Sequence, residues 1–139
     1  MEKQRPLIGI IAAEAEYIFF NRSLECIQKE LFAADMDAAI FSSLMMSGNQ
    51  EFDAAENSVY DLINLDLLDG IIIFPTSIND IASRNKLIER IRRDFKGPVL
   101  SYDCDVEGFD HAIYNYEPAA DMVIAHLVDK HGVKTADFV

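Results

Sequence analysis

Two stretches of this 139-residue chain restrict its fold more than any others: "LIGIIA" at 7–12 and "GIIIF" at 70–74 are unbroken apolar runs rich in isoleucine. A strand with one face in water alternates polar and apolar side chains, whereas a strand covered on both faces is apolar throughout. The runs therefore predict buried strands of a parallel sheet. "AAIF" at 38–41, "PVLSY" at 98–102 and "HAIY" at 111–114 read as further short strands, and "TADFV" at 135–139 as the start of a sixth.

Between the strands the apolar period lengthens to that of a helix. Phe20, Leu24, Ile27 and Leu31 recur at spacings of three and four, while Arg22, Glu25, Gln28 and Lys29 fall off that stripe. Phe52, Ala55, Val59 and Ile63 mark a second helix over 51–66, and Ile81, Ile88, Ile91 and Phe95 a third over 80–95, stopped by Gly97-Pro98. A fourth runs over 117–131 with Ala120, Val123, Leu127 and His131 as its stripe, Pro118 tolerated in the first turn and Gly132 as its stop. The alternation of strand and helix predicts an α/β fold: a three-layer open parallel sheet with helices on both faces. Right-handed crossovers bring the loops that follow the strands to one edge, where open α/β sheets hold their ligands.

Composition narrows the functions open to such a sheet. Half of the residues are hydrophobic, enough for one core without disulfides or structural metal. A net charge of −12 repels a phosphate backbone, so no direct nucleic-acid binding is expected of this chain. No apolar run reaches the length of a membrane span, so no membrane partner is expected. Cys26 falls in a helix and Cys104 just after a strand, which argues against a disulfide framework and for a reducing, cytoplasmic location.

The motifs exclude more chemistry than they supply. In "SYDCDVEGFD", Asp103, Asp105, Glu107 and Gly108 have the spacing that opens an EF-hand loop, but position 12 would be Tyr114 and position 9 His111, and no helix precedes the loop. Gly9 lies inside a strand instead of after it, and no phosphate-binding loop with lysine occurs. Pro75, Thr76 and Ser77 stand where a phosphoacceptor domain carries aspartate. The serines sit in no nucleophile elbow, and His111, His126 and His131 have no metal-ligand spacing. No catalytic residue, metal or cofactor is therefore assigned. One rival reading keeps an enzyme: Glu14, Glu16 and Asp103 share the strand-end edge and could pair as acid and base if burial raised one of them. The loop "AEAEYIFFN" points elsewhere, since Glu14, Glu16, Tyr17 and Phe19 mix acceptors with aromatic faces as pockets for small polar ligands do. Phe20 belongs to the helix's core stripe; Phe19 is the ring expected to face a ligand. Met45 and Met46, in the polar connection over 42–51, either pack beneath the loop or serve a partner surface.

"LIGIIAAEAEYIFFNRSLECIQKELFAADMDAAIF", "LLDGIIIFPTS", "GPVLSYD" and "NYEPAADMVIAHLVDKHGVKTADFV" follow one another in an order and spacing that resemble the effector-binding domain of bacterial repressors of the lactose/galactose type, a branch of the periplasmic-binding-protein-like superfamily. The family's Asn-Pro-Phe-Phe pattern corresponds to Tyr17, Ile18, Phe19 and Phe20, so the aromatics persist and Asn-Pro does not. The sequence also resembles sensory domains of the same fold in bacterial signalling proteins such as cyclic-dinucleotide synthases and histidine kinases. The resemblance implies that 1–139 is the N-terminal subdomain of a two-lobed, non-catalytic ligand-sensing domain, with 135–139 the opening strand toward a second lobe. It further implies a small-molecule effector in the cleft, a homodimer in the full-length protein, and a half-site of Glu14, Phe19, Thr76 or Ser77, Asp103 and Asn115. Cys104 stands where many sugar-responsive members have arginine, and Tyr114 where aspartate often precedes the shared Asn, so the resemblance leaves the effector open. A dimerisation or interaction module with a vestigial cleft is the alternative from another class.

Overall fold

In the computed structural model, which describes residues 5–15, 18–44 and 50–135, strands β1 (Leu7–Ala13), β2 (Asp37–Ser43), β3 (Gly70–Ile73), β4 (Val99–Tyr102) and β5 (Asp110–Ala112) form one sheet. The strand order is β2-β1-β3-β4-β5 and every pairing is parallel. Helices α1 (Ile18–Ala33), α2 (Gln50–Asn57), α3 (Ile81–Asp94) and α4 (Glu117–His131) follow β1, β2, β3 and β5. The expected open α/β sheet with helices on both faces is what the chain builds.

The isoleucine runs explain the layering, because successive side chains of a strand point to opposite faces. Ile11, Ile71 and Ile73 enter one core with Ile63, Leu65, Leu87, Ile88 and Ile91, the α2–α3 side. Ile10 and Ala12 enter the other, with Phe74 and α1's Leu24, Ile27 and Leu31. Ile10, Ile11 and Ile73 are fully buried, each stabilising the fold by roughly 1.5–3 kcal/mol relative to an exposed side chain. Gly9, in the middle of β1, has a packing role: an added Cβ would lie 2.6 Å from Leu68 Cδ1.

Three expectations change. The helix expected over 51–66 stops at Asn57 and tightens into 3-10 turns at Ser58–Leu62 and Leu65–Leu67. The reason is the inward turn of Tyr60, whose hydroxyl donates to the Ala12 carbonyl at 2.9 Å. Arg90 of α3 then donates to the freed carbonyls of Tyr60 and Ile63, at 2.8 and 2.6 Å. The fifth strand ends at Ala112, so Ile113 and Tyr114 leave the sheet. The fourth helix keeps its expected bounds, with Pro118 in its first turn and Gly132 (φ 63°) closing it, but none of its residues is buried. Its stripe therefore forms no part of the core, and Met122, Val123, Ile124 and Val128 are exposed. The expected sixth strand lies, from 136 onward, outside the described residues. No helix among the described residues is long and apolar enough to cross a membrane.

Candidate functional site at the carboxyl edge of the sheet

Parallel pairing puts the last residues of all five strands on one edge, and two of the chain turns there are unusual. Glu14 directly follows β1 and Asp103 directly follows β4, and both hold left-handed backbone conformations, φ 55° and 59°. Such a conformation costs a side-chain-bearing residue about 1–2 kcal/mol. Each turn is pinned by a hydrogen bond to the neighbouring strand: the Glu14 N–H donates to Ser43 O at 2.9 Å, the Asp103 N–H to Ala112 O at 2.8 Å. Neither carboxylate has a hydrogen-bond or ion-pair partner among the described residues. With β3 between β1 and β4, the two turns stand about 10 Å apart, two strand spacings. The third left-handed acid, Asp35 (φ 60°), differs in kind. It follows α1 at the opposite edge, where Arg5 Nε pairs with it at 3.1 Å.

Thr76 and Ser77 share the 3-10 turn Pro75–Ser77 after β3 but not a role. Thr76 is exposed. Ser77 is buried; its hydroxyl accepts from the Ala13 N–H at 2.8 Å and donates to Phe74 O at 2.7 Å, tying the ends of β1 and β3 together. These two strands flank the point where the strand order reverses, the crevice in which doubly wound sheets hold ligands. Asn115 is exposed, its Oδ1 accepting from the Glu117 N–H at 3.1 Å. Asp80, at the start of α3, accepts from the Ser83 N–H at 2.7 Å, and hydrogen bonding by the Ser83 hydroxyl, with that N–H, holds its carboxyl below the usual 3.8. Phe19 lies in the first turn of α1, its side chain outside the described residues, as are Glu16, Tyr17, Met45 and Met46. The structure thus brings Glu14, Thr76, Asp103 and Asn115 to one edge, with Ser77 beneath them.

Of the acids in "SYDCDVEGFD", only Asp103 stays there. The chain must return to the other edge before β5 can pair parallel with β4, and it takes Asp105 and Glu107 along. Asp105 meets His111 Nδ1 at 3.5 Å, and the Glu107 carbonyl accepts from Arg92, near the far end of α3, at 2.6 Å. No cluster of three or more His, Cys, Asp or Glu side chains placed to hold a metal occurs among the described residues.

Sequence reasoning missed two features. One is a buried polar frame below the edge: the Tyr60 hydroxyl lies 2.9 Å from both Ser43 Oγ and Ala12 O, and Ser101 Oγ donates to Cys104 O at 2.6 Å, fixing the turn that presents Asp103. Burial raises the Tyr60 phenol above the usual 10.0, outweighing the opposing bonds from Ser43. The other is a line of rings, Phe74, Tyr102, Tyr114 and Tyr116, with successive centroids 4.6, 5.8 and 5.7 Å apart. The Tyr102 and Tyr114 hydroxyls are hydrogen-bonded to each other, and this bond to Tyr102 raises the Tyr114 phenol above 10.0. The spelling "YNY" around Asn115 is the signal for this line of rings in the sequence, hidden by the apolar run "HAIY" that continues the strand pattern through Tyr114. No family model matches the chain, and no curated protein matches it either.

Proposed function

We propose that the chain is a non-catalytic, small-molecule-sensing subdomain of a bacterial regulator or signalling protein, with its ligand held at the carboxyl edge. The observation that carries this reading is the pair Glu14 and Asp103. Two unpartnered carboxylates held on strained, hydrogen-bonded turns at one edge are poor for stability and suited to clamping a ligand. Thr76 and Asn115 add a hydroxyl and amide donors, and Phe19 follows one of the two turns in the chain. The two-lobed arrangement implied by the likeness to lactose/galactose-type repressors is part of the proposal. It is supported by apolar surface in want of cover: α4's exposed Met122, Val123, Ile124 and Val128, and a groove of about 420 Å³ lined by Ile27, Leu31, Met36 and Ile72. Closure of a second lobe over the ligand would shift a two-state equilibrium that an attached output domain reads. In that arrangement the parent protein is a cytoplasmic homodimer.

The test is thermal unfolding against a panel of sugars, nucleosides, amino acids and amines. Ligand at one hundred times its Kd stabilises the folded chain by about 2.7 kcal/mol. One chemical class should raise the midpoint, and Asp103→Asn, which tolerates the left-handed backbone as aspartate does, should shrink the rise without lowering the midpoint of the free protein. A panel without any shift would count against the reading.

A further inference from the structure

The carboxyl edge carries a second binding element beside the two acids. Tyr102 and Tyr114, with ring planes at 84°, form two walls of a corner, and Ala112 and Ile113 complete a cavity of about 190 Å³. Tyr102 is fixed from behind, tilted at 34° against the fully buried Phe74, and its hydroxyl reaches Ser23 Oγ at 3.4 Å. Tyr116 continues the aromatic surface outward at 39° to Tyr114. Asp103 follows Tyr102 directly, its carboxylate unpartnered. None of the five segments that leave the strands on this edge (14–17, 44–49, 74–80, 103–109 and 113–116) contains a lysine or arginine. The nearest basic side chains in sequence, Arg22 and Arg84, belong to the second turn of α1 and the first turn of α3.

We infer that the Tyr102–Tyr114 corner takes the cationic head of a small organic ligand, a quaternary or substituted ammonium, against its ring faces with Asp103 as counter-charge. Ring faces carry the negative end of the aromatic quadrupole and attract such cations. The chemistry of the lining favours that class: the cavity walls are the two tyrosines, Ala112 and Ile113, none of them basic, and the carboxylate next in the chain, Asp103, has no partner among the described residues. The inference rests on reading the carboxyl edge as a ligand site and names the chemistry of its ligand.

Calorimetric titration of the chain with choline, and with 3,3-dimethylbutan-1-ol as its uncharged isostere, tests it. Choline should bind at least about tenfold more tightly than the alcohol. Tyr114→Leu should remove most of that margin, Tyr114→Phe should keep it, and Asp103→Asn should narrow it. Tyr114 is half exposed, so the variants should unfold like the parent. Equal binding of the two probes, or no choline binding, overturns the inference. A neutral sugar or nucleoside that binds through Asp103 while choline does not would overturn it and leave the sensing role standing; a folded chain that binds neither probe nor any panel member sinks both.

Discussion

Glu14 sits where a glycine would be more comfortable, and that makes its cost measurable. Glu14→Gly removes the left-handed strain (φ 55°) while keeping the backbone bond to Ser43, and should raise stability by about 1 kcal/mol in urea unfolding while weakening the ligand binding proposed for this edge. A loss of stability would mean that the carboxylate has a structural task. Thr76 and Ser77 separate function from frame more sharply still. Ser77→Ala strands the buried Ala13 N–H and should cost about 1–3 kcal/mol, whereas the exposed Thr76→Val should stay within about 0.5 kcal/mol. Tyr60 gives the edge a pH limit. Its phenol is raised in the folded state, chiefly by burial, so its contribution is whole below the unfolded value near 10.0 and is lost as pH climbs through the folded value. Stability should fall above about pH 10, and less steeply in Tyr60→Phe, by denaturant titration across pH 8–11.

At the scale of elements, what could be read from the chain was what periodicity encodes. The runs at 7–12 and 70–74 are apolar on both faces because β1 and β3 are covered on both, and the helix bounds at 117 and 131 follow from Pro118 and Gly132. Periodicity says nothing of what a stripe packs against. The apolar positions of α4 looked like core and are exposed, and those of the second helix continued past Asn57, where tertiary bonds from Tyr60 and Arg90 favour tighter turns. The site was legible to the extent that it follows from strand ends: Glu14, Thr76 and Asp103 each follow a strand directly or within a few residues. The tyrosine corner was not, because it depends on β5 ending two residues earlier than its apolar spelling suggests. α4 carries a prediction of its own. With no buried residue, its amides should exchange with deuterium well before those of β1 and β3; protection equal to β1 would mean that another copy covers it.

For the molecule as a whole, the strand order has consequences beyond the carboxyl edge. β1 is the second strand of the sheet in space and the first to be made, and its partner on one side, β3, lies some sixty residues later in the chain. Ser77, whose hydroxyl closes the β1 end, is 64 residues downstream of Ala13. At typical ribosomal rates the wait between the two is about 3 to 13 s. During it a strand destined for full burial has only β2 and α1 to pair with, and offers an isoleucine-rich edge to any other nascent chain. The 13 acidic residues that precede Ser77, against four lysines and arginines, gain a meaning at that stage which the folded molecule does not reveal: like-charged nascent chains repel one another until the central strand is closed.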